Sequence, residues 1–213
     1  MREIHIGRVK LARIANRLSS LLNRGTVKPC VLDDLAVHDQ GLTTWRDSIT
    51  LEYRPEQRIL ATGRLYCAVA LLHLKYFNRM QRVHWASYVV SMQVPDPGVL
   101  AQCAPRIRSS ETICVVAARS VIEILNQSLQ ETDQHVQFVG IPISYCMAAI
   151  AILFRQILSQ PSTISARILL EYLRGGTLHI IQRTPTGSLM DHFRASSEGL
   201  KTVGEVNMDG GIR

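Results

Sequence analysis

Apolar residues recur at helical spacing along most of this chain, which leaves little room for any fold but an all-α one. Ile4, Leu11, Ile14, Leu18 and Leu21 share one helical face. Leu35, Leu42, Trp45 and Ile49 follow at steps of seven, three and four, and Leu60, Leu65, Val69, Leu72, Tyr76 and Met80 continue the pattern. Punctuation residues divide it into elements. A first helix is predicted from Glu3 to Asn23, stopping at Gly25, and a second over Val31–Ser48 with Asp33 and Asp34 in its first turn. Residues 50–57, with Pro55, read as a loop. A third helix is expected from Gln57 to Arg82, with a further one over 84–92.

Three prolines and Gly98 make Val94–Arg108 a loop or a short broken helix. Ser109 or Ser110 is expected to cap the next helix, which runs to Gln130 with Val115, Ala118, Ile122, Leu125 and Leu129 inward. Thr132–Gly140 is a polar connector. Pro142 suits the first turn of a helix that ends before Pro161. Ser162 or Thr163 caps a last helix, closed by Gly175–Gly176. Seven of the 13 glycines lie in residues 175–213 and the periodicity fades after Ile181. Residues 1–182 are therefore expected to be a helical domain. Residues 183–213 are expected to be a weakly structured tail, with a short helix near Ser188–Ala195. Aromatic residues make up only 6% and prolines number 8, fewer than a many-turned β-sandwich would use. No internal repeat of solenoid length is visible.

The charge is +7, and 20 of the 24 basic residues are Arg. A basic balance suits nucleic acid or an acidic membrane surface, but these Arg are spread along amphipathic patterns rather than run together, as on solvated helix faces. Five cysteines (Cys30, Cys67, Cys103, Cys114 and Cys146) stand at long, irregular gaps, which argues for free thiols rather than disulfides or a zinc site. The most apolar window, Ile141–Leu158, has an unbroken apolar stretch only from Tyr145 to Phe154. That is short of the roughly 20 residues of a membrane span, so it reads as a buried core helix. The first 25 residues carry Arg2, Arg8, Lys10, Arg13, Arg17 and Arg24 against Glu3 alone. An Arg-rich amphipathic start resembles a mitochondrial address, but the preferred reading is simply a first helix with a charged outer face.

No catalytic constellation stands out. There is no His pair at metal spacing, no nucleophile elbow and no phosphate loop, and His73 and His84 sit three helical turns apart. The sequence nominates no catalytic, cofactor-binding or metal residue. Leu42, Trp45, Leu72, Tyr76, Ala118 and Leu153 are expected in the core.

The stretch Leu72-His73-Leu74-Lys75-Tyr76-Phe77-Asn78, followed by Met80, His84 and Ala86, resembles a helix of the fungal-specific transcription factor domain, the regulatory middle region of fungal activators that carry a zinc binuclear cluster. Leu35, Leu42 and Trp45 are similar to that family's preceding helix. Cys114, Ala117, Ala118 and Arg119 are similar to its Cys-x-x-Ala-Ala-Arg helix, and Ala148–Leu158 with Ala166–Leu173 to its later apolar pair. The likeness covers Val9 to Leu173. Trp85 stands where the family has Arg, and the six closely spaced zinc-binding cysteines are absent from this sequence.

The resemblance implies a truncated, non-enzymatic regulatory and interaction module in the nucleus. It implies no cofactor in this chain, and DNA contact only through a zinc cluster missing here. The implied partners are proteins of the transcription machinery, a second copy of the chain, or a small-molecule effector. A domain lacking part of its helices would leave apolar faces uncovered and prone to association. Two alternatives rest on residues alone: a helical ligand-binding protein or enzyme with a pocket around Tyr76, His84 and Tyr145, and a mitochondrial, cytoplasmic or membrane-surface helical protein built on the basic first helix.

Overall fold

A computed structural model describes residues 2–22, 31–93, 97–130, 143–161 and 163–183, with positions 191, 195–196, 198–199, 201–203 and 205–206 beyond them. These residues form six long helices: α1 (Arg2–Leu22), α2 (Val31–Asp47), α3 (Gly63–Gln93), α4 (Pro97–Gln130), α5 (Ile143–Ser159) and α6 (Ile164–Arg183). A single 3-10 turn, Leu51–Tyr53, precedes α3, and no strand occurs among the described residues. The fold is all-α and multi-helical, as the periodicity predicts. It divides into two compact units, Met1–Cys114 and Val115–Arg213, with the division falling inside α4.

The first unit is organised around Trp45. α1 turns Ile4, Leu11, Ala15 and Leu18 inward, α2 contributes Leu32, Leu35 and Leu42, and α3 contributes Tyr66, Val69, Leu72 and Val83. The Trp45 indole stacks on Tyr76 with centroids 5.4 Å apart and planes 22° apart, and Phe77 meets Tyr76 edge-on. Trp45 Nε1–H donates to the Gly7 carbonyl at 2.8 Å, so a buried polar tip is satisfied by α1 itself. Gly7 permits that approach, because a Cβ there would lie 2.9 Å from Ile49 Cδ1.

The second unit packs the rest of α4, α5 and α6. Ile122 and Leu125, Cys146, Ala149, Ile150, Leu153 and Ile157, and Ala166, Leu169 and Leu173 are its buried faces. The window read as a core helix therefore buries one face, and no helix of the described residues is long and apolar enough to cross a membrane. Thr163 caps α6: its Oγ1 accepts the Ala166 N–H at 3.1 Å.

Several expectations need correction. α3 begins at Gly63, not Gln57, and Leu60, expected inward, is 76% exposed. Gly63 has φ +57°, a left-handed conformation that a right-handed helix cannot propagate through, so the apolar spacing upstream of it is not helical. Downstream, α3 runs unbroken to Gln93, absorbing the separate helix expected at 84–92. α4 begins at Pro97, twelve residues before the expected cap, and passes through Pro105. Pro97 at the first position loses nothing by lacking an N–H. Pro105 forfeits one helical bond, but it and Ala101, whose carbonyl is released, are both exposed to solvent. Ser109 is then no cap, and its Oγ donates back to the Pro105 carbonyl at 3.1 Å.

Gly175–Gly176 does not end α6 either, which continues to Arg183. A Cβ on Gly176 would lie 2.7 Å from Ile122 Cδ1 and 3.1 Å from Ile150 Cγ1, and one on Gly175 would lie 2.5 Å from Asn126 Nδ2. The pair lets α6 approach its neighbours closely. The stop at Gly25, the Thr132–Gly140 connector, Pro142, Ser162 and Cys30 lie outside the described residues. Of the Ser188–Ala195 segment, Asp191 and Ala195 are described, and both are helical.

Candidate functional site

The polar residues of the sequence resemblance converge inside the first unit. α3 buries His73, Asn78, Gln81, His84 and Ser87, and α4 brings Ser110 and Cys114 to the same interior. His73 Nε2–H donates to the Tyr53 carbonyl at 3.0 Å, fastening the 3-10 turn to α3. Burial holds the His73 imidazole below its ordinary value, opposed by that bond. His84 Nδ1 lies 3.2 Å from Ser110 Oγ, and its Nε2 lies 3.2 Å from Asp39 Oδ1 on α2. Cys114 Sγ donates to the Gln81 carbonyl at 3.5 Å. Among the described residues, neither atom of the buried Gln81 carboxamide has a hydrogen-bond partner.

Ser110, His84 and Asp39 form a chain of the residue types found in a nucleophilic triad, but the surroundings do not support that chemistry. Ser110 is 3% exposed in the interior of α4, so no substrate can reach its hydroxyl. The neighbouring backbone N–H groups are committed to the helix and offer no oxyanion hole. The Asp39 contact is within ion-pair distance, yet Nε2 is not aligned for a hydrogen bond. What the arrangement does is tie three helices together through polar groups whose partners must all be present at once. Sequence reading missed it because Ser110 looked like a cap and nothing local singles out Asp39. Asp39 and His84 are 45 positions apart, and no local pattern joins them.

The Cys-x-x-Ala-Ala-Arg helix serves both units. Cys114 belongs to the first. Arg119 belongs to the second, where Nη2 donates to the Tyr172 hydroxyl at 3.1 Å and the guanidinium lies 4.7 Å from the Tyr172 ring centroid. Tyr172 in turn donates to Glu123 Oε1. The Tyr172 hydroxyl is held above its ordinary value by partial burial first, and by Glu123. Ala117 and Ala118 between them are buried. Of the trio nominated for a ligand pocket, Tyr76 is 1% exposed and pushed up to about 12 by burial, and His84 is engaged as above. Tyr145 is half-buried in the second unit. Among the described residues, no three His, Cys, Asp or Glu side chains are grouped to hold a metal ion.

The chain is similar to two curated proteins, both described as an ABC-transporter-regulating transcription factor. The Aspergillus fumigatus protein is 31% identical over 147 residues, which is 64% of this chain and 16% of that protein. The Aspergillus oryzae protein is 30% identical over 149 residues, with the same shares. The chain thus spans about a sixth of the length of the curated relatives it matches. No family model matches the chain. No solved structure matches it either.

Proposed function

We propose that the chain acts in transcription regulation, as an all-α regulatory and interaction module of a fungal transcription factor. The observation that carries this reading is the similarity to two transcription factors of Aspergillus. The buried polar seam agrees with it: His73, Asn78, His84 and Cys114, which carry the resemblance, are all interior groups. They hold helices in place rather than act on a substrate, as suits a non-enzymatic regulator. On this reading the chain works in the nucleus within the zinc cluster family. It reads no DNA sequence without such a cluster, and acts through protein partners, a second copy of itself or a small effector. Residues 183–213 are a tail to the helical body.

The test is to fuse the whole chain to an unrelated DNA-reading domain and measure a reporter in a filamentous fungus. Reporter output that rises or falls several-fold against the reading domain alone supports the proposal. Unchanged output from a fusion that is folded and nuclear overturns it.

A further inference from the structure

The outer face of α1 is built unlike an ordinary solvated helix surface. Arg2, Ile6, Val9, Lys10, Arg13 and Arg17 fall at i, i+4, i+7, i+8, i+11 and i+15, so all six share one side of the helix. The four cations are exposed, and no ion pair engages them among the described residues. Between them Ile6 and Val9 are left 43% and 42% exposed. The only acid on α1, Glu3, lies at the edge of this face and is engaged by Thr50. Its carboxylate accepts from the Thr50 N–H at 3.0 Å and from the Thr50 hydroxyl, and those bonds hold it below its ordinary value.

A cleft of about 310 Å3 opens into this face between α1 and the end of α2. Ile6, Gly7 and Ile49 line its apolar part, and Arg2, Glu3, Lys10 and Ser48 stand at its polar margin, where two cations outnumber the one carboxylate, itself bonded to Thr50. The volume is at the bottom of the range for small-ligand pockets, about 300–1,000 Å3, and suits one bulky side chain.

We propose that this face of α1 docks an acidic segment of a partner protein, which seats one bulky apolar side chain in the cleft and pairs its carboxylates with Arg2, Lys10, Arg13 and Arg17. Charge complementarity selects the acidic partner, and the cleft selects protein over other polyanions. A nucleic acid would use the cations but has nothing to place against Ile6 and Ile49. A membrane surface would need the broad apolar face of α1, and Ile4, Leu11, Ala15 and Leu18 are already spent in the core. The inference does not depend on a transcriptional role.

The experiment uses the full chain and a fluorescent synthetic peptide rich in Asp and Glu with a central Phe, read by anisotropy. Its control has Ser in place of the Phe. Binding should weaken about tenfold with the Ser peptide and with Ile6→Ser, and by at least as much with Lys10→Glu/Arg13→Glu. Added salt should weaken the acidic peptide steadily. Ile6 is part-exposed and the two cations lie on the surface, so unchanged helical circular dichroism is expected. If the double reversal disturbs it, Lys10→Ala alone serves. No binding, or binding indifferent to Ile6→Ser and to loss of the Phe, overturns the proposal. So does displacement of the peptide by duplex DNA or by anionic vesicles at lower concentration than unlabelled peptide.

Discussion

Gly176→Ala adds one methyl group where α6 meets α4 and α5, and its effect can be worked out from the contacts. In an open helix position the change would stabilise by about 1 kcal/mol, because Ala is the better helix former. Here the new Cβ would lie 2.7 Å from Ile122 Cδ1, 3.1 Å from Ile150 Cγ1 and 3.3 Å from Ile150 Cδ1. Both isoleucines are fully buried, and Cγ1 is not a free chain end, so neither can simply swing away. Overpacking of this kind costs about 1–3 kcal/mol, leaving a net loss of up to about 2. Gly175→Ala is the internal control. Its Cβ would meet the Asn126 amide, the mobile end of a half-buried side chain, so that variant should be neutral or up to about 1 kcal/mol more stable. Urea denaturation followed by far-ultraviolet circular dichroism compares the two. Ile122→Val removes the clashing Cδ1 and should recover part of the Gly176→Ala loss, giving a coupling of at least about 0.5 kcal/mol. Equal midpoints for the two alanine variants, or no coupling with Ile122→Val, would show that Gly176 is not there for close approach.

Trp45→Ala removes the Tyr76 stack and the bond to Gly7, and should cost about 3–5 kcal/mol by thermal or urea melting. A near-silent variant would mean that α1 and α3 do not close around this indole. Gln81→Met replaces a buried, unpartnered amide with an apolar group of similar size and should raise the free energy of unfolding by about 1–3 kcal/mol; a fall would reveal a bridging water or another partner. His73 is neutral when folded and sits below 6.5, so the unfolded chain takes up its proton first as pH falls. Its contribution is complete above 6.5 and is lost as pH drops through that value toward the folded one, by at most about 1.4 kcal/mol per unit. His38, lowered by partial burial, adds in the same direction. His73→Gln should flatten that acid limb, and an unchanged slope would assign it elsewhere. Gly41→Ala meets nothing within 4 Å and should stabilise α2 by about 1 kcal/mol, as melting will register.

Helix content was legible because apolar periodicity is written locally. Leu42, Trp45, Leu72, Tyr76, Ala118 and Leu153, chosen from spacing alone, are all at most 3% exposed. The punctuation was less readable, because one residue type serves two purposes. Glycine ends helices through its left-handed freedom and also joins them through its small size. Gly63 does the former and Gly176 the latter, and only the neighbour across the interface tells them apart. Pro105 misled similarly: proline is disfavoured inside any helix, but here the released Ala101 carbonyl and the ring are exposed, so water can offset part of the cost. The polar seam was invisible because Asp39, His84 and Ser110 come from three helices. The resemblance picked out His73, Asn78, His84 and Cys114 without saying that they are interior.

Cys114 and Cys146 are both buried, and they fall one in each unit. Burial also pushes the Cys146 thiol up to about 12, so the folded protein presents almost no thiolate there. A thiol reagent can therefore reach either sulfur only during an opening of the surrounding helices, while the part-exposed Cys67 and Cys103 are modified first. In a chain carrying Cys30→Ser, Cys67→Ser and Cys103→Ser, the two labelling rates become two clocks, each timing how often its own half of the molecule comes apart.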